Sequence, residues 1–348
     1  MSAPAGPEPT AARLRVPDPQ RPVNALSAPP SFSVVVPAFE AAATIAATID
    51  SVLAQSPGPR EVIVVDDGSR DRIEEALAPF SSRIRLVRQP RNRGVAAARN
   101  AGLRECCGDF VLIVDADDAL LPGRLAALGL LGRERPDLDL LCTDVAFELD
   151  GERQGRFFAQ NTFPLRDQRR AILASCFPIH PAARRSRLLE IGGFDESLRT
   201  GEDWDCAIRL VLGGSSTGLY DEVLELYRIR GGSLTSSRAE TFHDRVRVLE
   251  KTLSNPDLRP EERPAAERML AAQRGRAVLT DAQAAVAADR PDLRRRCLEL
   301  ARNSACSPRD RIWALAVVAA PRRFRPWVRR RGEATSQLSR NLPEGDRP

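Results

Sequence analysis

The chain has 348 residues, a mass of 38.2 kDa and 43% hydrophobic residues, enough for one large domain or two modest ones with a sizeable core. Its net charge is +5 and its pI about 9.0, but the basic excess gathers at Arg322, Arg323, Arg325, Arg329, Arg330 and Arg331, which argues against a dedicated nucleic-acid module. Seven cysteines, two of them adjacent at Cys106 and Cys107, fit neither a metal knuckle nor a redox pair and read as reduced, mostly buried thiols.

Residues 1–30 are dense in Pro and Ala and predict a disordered leader rather than a secretory signal. From Ser31 the texture changes. Phe32–Val36 is a β-branched run suited to a buried parallel strand, and Ala41–Gln55 places Ile45, Ile49, Val52 and Leu53 at helical spacing. Glu61–Val65, Arg83–Val87 and Phe110–Val114 read as further strands, with helices over about 70–80 and Gly94–Cys106 between them. Strand and helix alternating at this pitch predict a parallel α/β sheet with right-handed crossovers and helices on both faces.

After Asp118 a helix is expected near Pro122, a strand near Leu138–Phe147, and mixed structure over 150–200 with a turn at Gly192-Gly193-Phe194. Asp203–Leu212 reads as a helix stopped by Gly213-Gly214, and Ser215–Ile229 as one or two strands. Beyond that only helical patterns remain, at His243–Leu253, Pro260–Ala287 and Asp292–Arg302. The expected organisation is a leader over 1–30, an α/β domain over 31–237 and a helical region with a basic tail over 238–348. No apolar run is long enough to cross a bilayer, Ile312–Ala320 having about half the length needed.

The densest chemistry lies at Asp115-Ala116-Asp117-Asp118, where an apolar strand ends in three carboxylates. Ligands of open parallel sheets bind beyond the carboxyl ends of the strands. Acids gathered there repel one another unless a cation such as Mg²⁺ or Mn²⁺ sits among them, although they also serve as helix caps. A second strand ends in Asp66-Asp67-Gly68-Ser69, whose carboxylates suit either a turn or a nucleobase N–H. Glu202-Asp203-Trp204 opens an amphipathic helix, where the acids favour the helix dipole or supply a general base.

These pieces stand in one order. Val34-Val35-Val36-Pro37-Ala38-Phe39-Glu40 is followed by Val64-Val65-Asp66-Asp67-Gly68-Ser69, Asn92-Arg93-Gly94 with Arg99-Asn100-Ala101-Gly102, and Asp115-Ala116-Asp117-Asp118. Gly192-Gly193-Phe194-Asp195-Glu196, Glu202-Asp203-Trp204, Tyr227-Arg228 and Gly232-Ser233-Leu234-Thr235 complete the series. Over residues 31–235 the chain resembles family 2 glycosyltransferases of the GT-A fold, a Rossmann-like, mostly parallel sheet, here with a helical C-terminal region.

The resemblance implies an inverting transfer of a sugar from a nucleoside-diphosphate donor, expected to be UDP-linked, to an acceptor hydroxyl, with Mn²⁺ or Mg²⁺. Phe39 would stack on the base, backbone near Pro37, Ala38 and Glu40 would hold it, and Asp67 would accept its N–H, with Gly94 beside the donor. Asp115, with Ala116, would contact ribose or metal, and Asp117 would coordinate the metal. Asp203 would be the catalytic base and Glu202 would shape the site. A histidine usual near the Tyr-Arg stretch is missing; Arg230 stands there and could clamp the diphosphate.

Other residues have plainer readings. His180 reads as packing before acceptor contact, Trp204 equally as core or sugar platform, and Arg99 as a solvated or salt-bridged helix residue. The acceptor is left open among a glycan, a lipid-linked species and a small molecule, and no nucleic-acid partner is expected. Trp313–Arg331 could touch a membrane surface or pack on the catalytic domain, so the protein is expected in the cytoplasm, at the inner face of the membrane if that segment binds. The competing functions are a nucleotidyltransferase, for which residues 37–44 lack a glycine-rich phosphate loop, and a catalytically silent nucleotide-binding scaffold.

Overall fold

The computed structural model describes residues 13–18, 24–149, 151–229, 238–321 and 324. They form two compact units, one up to Ile229 and one from Arg238. The first unit opens with β1 (Leu14–Arg15), β2 (Phe32–Ala38), α1 (Ile45–Leu53), β3 (Glu61–Asp66), α2 (Ile73–Leu77), β4 (Arg85–Arg88), α3 (Val95–Glu105) and β5 (Phe110–Ile113). It continues through β6 (Ala119–Leu120), α4 (Arg124–Glu134), β7 (Leu140–Leu149), β8 (Glu152–Arg156), α5 (Phe157–Gln160) and α6 (Gln168–Ala174). β9 (Ala182–Arg184), α7 (Arg185–Glu190), α8 (Glu202–Leu212) and β10 (Thr217–Ile229) complete it.

All ten strands join one sheet in the order β1-β10-β7-β9-β5-β2-β3-β4, with β6 on β10 and β8 on β7. The pairs β5–β2, β2–β3 and β3–β4 are parallel, as the continuous apolar runs require, and every residue of β2 is buried. β9 is antiparallel to both β5 and β7, and β10 runs parallel to β7. β2 to β4 step outward on one side while β5 returns to the other side of β2, so the switch point falls between β2 and β5. β5 stays paired only to Ile113, opposite Val35, whereas β2 continues to Ala38. A crevice therefore opens where β5 leaves the sheet.

The strip expected to be a disordered leader contains an exception. Leu14 and Arg15 pair antiparallel with Tyr220 and Leu219, and Arg15 reaches Asp221 at 3.4 Å. The edge of β10 offers unpaired backbone groups, and pairing them outweighs the weak local propensity of the segment. Residues 1–12 and 19–23 of that strip lie outside the described residues.

Helix α3 lies unusually close to the sheet. A Cβ on Gly102 would stand 2.3 Å from Val35 Cγ1 and 3.2 Å from Val65 Cγ2. Both valines are branched at Cβ, which restricts their χ1 and so their freedom to swing aside.

The second unit contains α9 (Arg238–Leu253), α10 (Arg263–Ala288), α11 (Leu293–Arg302) and α12 (Pro308–Ala319). Its core joins Ala282, Val286, Leu293, Cys297, Leu300 and Val317, with Trp313 packed against it. Ile312 and Leu315 on α12 remain exposed. Among the described residues no helix is long and apolar enough to cross a membrane. All seven cysteines are free, five of them buried.

The close approach of α3 sets a test. Gly102→Ala should destabilise the protein by about 1–3 kcal/mol through overpacking, read as a lower urea midpoint with an unchanged slope.

Candidate active site

The first two strand tips are stitched together. Pro37 and Ala38 close β2, both buried, and the Ala38 carbonyl accepts the Asp67 N–H at 2.8 Å. Phe39 stands at the mouth, 48% exposed. Glu40 adopts a left-handed conformation (φ 52°), donates its N–H to Ser69 Oγ at 3.0 Å and accepts the Arg70 N–H at 2.8 Å. Asp66 builds the turn: it accepts the Ser69 N–H at 2.8 Å and pairs with Arg88 at 3.3 Å. Asp67 receives the N–H groups of Arg93 at 2.9 Å and Gly94 at 2.8 Å, one on each oxygen, just ahead of α3. Burial raises its pKa, and Asp66 adds to the rise, against the pull of those two N–H groups.

The acidic turn after β5 is anchored from below. The Ala116 carbonyl accepts the hydroxyls of Thr44 at 2.8 Å and Thr48 at 3.0 Å, and Thr48 also reaches the Asp118 carbonyl at 2.7 Å. Asp115 and Asp117 are partly exposed, whereas Asp118 is 1% exposed. Asp118 Oδ1 accepts the Arg228 N–H at 2.9 Å, and its buried Oδ2 has no hydrogen-bond partner among the described residues. Burial drives its carboxyl well above the usual range, with Glu225 reinforcing the shift.

Helix α8 brings the third set of acids. Gly201 caps it at φ 75°, a left-handed conformation that suits glycine. Asp203 is exposed, with its Oδ1 accepting the Trp204 N–H at 2.7 Å, while Glu202 turns inward. Arg99 of α3 meets it there: its guanidinium lies 2.6 Å from Glu202 and 3.2 Å from Asp115, with the Phe194 ring centroid at 5.5 Å. These acids hold Arg99 firmly charged, whereas burial raises Glu202 to about 7 against the pull of Arg99. The next residue, Asn100, donates to the Phe194 carbonyl and accepts its N–H, both at 2.8 Å.

Behind the acidic turn lies a second charged cluster. Glu225 is fully buried, ion-paired to Arg124 and hydrogen-bonded to His180 Nδ1 at 2.9 Å. Arg124 also donates to the His180 carbonyl at 2.8 Å. Although burial opposes its charge, the acids around His180, Glu225 foremost, raise it to about 9. Its ring lies 5.6 Å from that of Tyr227. Burial raises the Tyr227 hydroxyl, and the charges of Asp118, Asp115, Asp117 and Asp203 add to the shift.

Asp115, Asp117 and Asp203 thus lie within electrostatic reach of the same phenol. Asp67 and Gly94 stand at the start of α3, the helix whose Arg99 binds two of the site's acids. The donor atoms of Asp115, Asp118 and His180 lie within 4.8 Å of one another, an arrangement that suits a cation; this triad does not include Asp117. Arg99 is salt-bridged, as one of its two readings has it, but buried rather than solvated. Trp204 is core: it is 6% exposed and its Nε1 donates to the Ile172 carbonyl at 2.8 Å. Arg230 lies outside the described residues. Sequence reasoning passed over Arg124 and Glu225, whose only signal is a charge inside an apolar pattern.

Comparison with known proteins agrees with this geometry. The chain shares its fold with the crystal structure of S. aureus TarS 1-349 in complex with UDP (20% identity, TM-score 0.59, 88% of each chain). It also shares it with the mannosyltransferase PcManGT from Pyrobaculum calidifontis in complex with GDP-Man and Mn²⁺ (22% identity, TM-score 0.57, 88% of this chain and 91% of that one). These define the class, the GT-A fold. Residues 33–192 match the family model for glycosyl transferase family 2. Over residues 33–192 the chain therefore carries a family 2 glycosyltransferase domain. Among curated relatives, it is 29% identical to an uncharacterized glycosyltransferase of Haemophilus influenzae over 186 residues, 52% of this chain and 62% of that protein. It is 30% identical to the succinoglycan biosynthesis protein ExoU of Rhizobium meliloti over 233 residues, 61% and 66% of the two. The chain spans just under two thirds of the length of these two relatives.

The buried Arg99–Glu202 pair can be weighed directly. Arg99→Met strands a buried carboxylate and should cost about 3–5 kcal/mol in denaturant unfolding. Adding Glu202→Gln should recover a large part of that loss; equal loss in the single and double variants would dissolve the coupling.

Proposed function

We propose that the chain transfers a sugar from a nucleoside-diphosphate donor, UDP-linked, to an acceptor hydroxyl by a single inverting displacement. The observation that carries this reading is the Arg99 guanidinium, which joins Asp115 at the end of β5 to Glu202 at the start of α8, next to Asp203. TarS is named in complex with UDP and UDP-GlcNAc, and PcManGT with GDP-Man and Mn²⁺.

In this reading the exposed ring of Phe39 stacks on the base and the backbone of Pro37, Ala38 and Glu40 lines it. Asp67 uses its remaining lone pairs for the base N–H, since each carboxylate oxygen accepts more than one hydrogen bond. Gly94 leaves space beside the donor: nothing stands within 4 Å of a Cβ built on it. Asp115 and the Ala116 backbone meet the ribose, and Asp115 and Asp117 face the divalent cation, Mn²⁺ or Mg²⁺. When bound, that cation offsets negative charge on the departing diphosphate.

Asp203 takes the proton of the acceptor hydroxyl. The acceptor oxygen then bonds to the anomeric carbon as the bond to the diphosphate oxygen breaks, its electron pair leaving with the diphosphate. No second carboxylate is assigned to the opposite face of the sugar, which favours one displacement and inversion. The likeness to ExoU and to the O-antigen biosynthesis protein RfbC of Myxococcus xanthus favours a growing glycan as acceptor. In this reading transfer takes place in the cytoplasm; of the Trp313–Arg331 segment weighed for membrane contact, 322–323 and 325–331 lie outside the described residues.

A donor screen read by released nucleoside diphosphate, with and without Mn²⁺, tests the activity. Asp203→Asn should lower transfer by about 10²–10⁴-fold while UDP binding by calorimetry stays near wild type. Near-normal turnover in that variant removes Asp203 as the base, and a preference for GDP donors removes the uracil assignment.

A further inference from the structure

We infer that Arg99 is a positioning residue that couples the donor side of the cleft to the acceptor side. Its guanidinium is shared between Asp115 and Glu202, the neighbour of Asp203, so that whatever occupies Asp115 changes how firmly the start of α8 is held. The inference rests on the donor reading above; what it adds is the dependence of one side on the other.

The sharing is written in the geometry. Arg99 is 9% exposed, and its terminal nitrogens go to different carboxylates: Nη1 lies 2.6 Å from Glu202 Oε1 and Nη2 3.2 Å from Asp115 Oδ1. The remaining nitrogen, Nε, is buried with no hydrogen-bond partner among the described residues. A guanidinium commonly grips one carboxylate with two parallel bonds. Here the fork is split, one prong to each acid, and the Asp115 contact is the longer. The two acids also differ in access, Glu202 being buried and Asp115 partly exposed. A ligand that reaches Asp115 therefore competes with the weaker of the two contacts.

The surroundings leave the guanidinium few alternatives. The Phe194 ring centroid lies 5.5 Å from it, and Asn100, the next residue, holds the Phe194 backbone through two bonds of 2.8 Å. Gly102 seats the same helix against Val35 and Val65. With α3 fixed in this way, Arg99 adjusts by turning between its partners rather than by withdrawing. An unpaired buried charge is costly, so a guanidinium that loses one carboxylate gains by turning to the other. When the donor takes Asp115, Arg99 turns to Glu202 and tightens the start of α8, beside Asp203. When the Glu202 charge is removed, Arg99 turns to Asp115 and competes with the donor. Coupling between two sites acts equally in both directions.

Calorimetric titration of the full chain with UDP tests this, at a fixed Mn²⁺ concentration and at pH 8, above the value of about 7 to which burial raises Glu202. Glu202→Gln leaves Arg99 to Asp115 alone and should weaken UDP binding about fivefold or more. Arg99→Met combined with Glu202→Gln removes the competitor and should return UDP affinity to within about twofold of wild type. Both proteins are checked for a native circular dichroism spectrum. In the wild type, UDP should also slow amide hydrogen exchange over residues 202–206, and it should do so less in the double variant. This second measurement needs neither turnover nor the single variant. Unchanged UDP affinity in Glu202→Gln, a double variant as weak as the single one, or equal exchange protection in wild type and double variant overturns the coupling. A wild-type chain that binds neither UDP nor GDP instead removes the donor reading, and the coupling with it.

Discussion

The Arg99 guanidinium, buried between Glu202 and Asp115, is the contact on which the rest of the cleft depends. It meets Glu202, 103 residues away in sequence, and so ties α8 to the end of β5. Taking these charges out of water is expensive, and their attraction repays the cost only when the geometry is held from all sides. Here it is. Asn100, the next residue, clamps the backbone of Phe194, whose ring lies against the guanidinium. Gly102, two residues further, lets the helix settle onto β2 and β3. At the front of the same helix Asp67 collects the N–H groups of Arg93 and Gly94. One eleven-residue helix thus sets the spacing between the end that would face a base and the end that would face an acceptor.

A second buried network supports the acidic turn from behind. Arg124, Glu225 and His180 occupy the space beneath Asp118, and β6 and β10 pair through Leu120 and Glu225. With the Thr44 and Thr48 hydroxyls on the carbonyls of 116 and 118, the turn is held on both flanks. Rigid support of this kind matters because like charges at Asp115, Asp117 and Asp118 repel, and an unsupported loop would splay.

Much of this fold is legible in the sequence because its parallel half is written locally. FSVVVPA, EVIVVD and FVLI are largely apolar runs, each reaching an acid at or within two residues of its carboxyl end (Glu40, Asp66, Asp115), so strand, burial and position of the site come together. What could not be read is long-range. β8, with the sequence ERQGR, is almost wholly exposed and has no alternation to betray it; it forms because β7 is its immediate partner. Leu14–Arg15 pairs for the same reason. Among the acids, the sequence identifies three carboxylates after β5 but not which one turns inward. That choice is made by the Arg228 N–H and by the fit of the turn over Thr48. Arg99 and Arg124 look like ordinary helix arginines until their partners, far away in sequence, are known.

The competing readings can be weighed by the same physics. A nucleotidyltransferase needs backbone N–H groups free after the first strand to cradle phosphates. Here the residues after β2 are committed: the Glu40 N–H goes to Ser69, the Ala42 N–H to Asp71, and the Thr44 hydroxyl to the acidic turn. A silent scaffold faces a different objection. Hydrophobic replacements for Arg99, Glu202, Arg124 and Glu225 would fold at least as well, since buried ion pairs seldom add net stability. Retaining four desolvated charges is intelligible when their effect is to aim groups at a reacting substrate, as Arg99 does for Asp115 and the start of α8, and Glu225 does for His180. The expense is concentrated where chemistry would occur, which is the distribution expected of an enzyme.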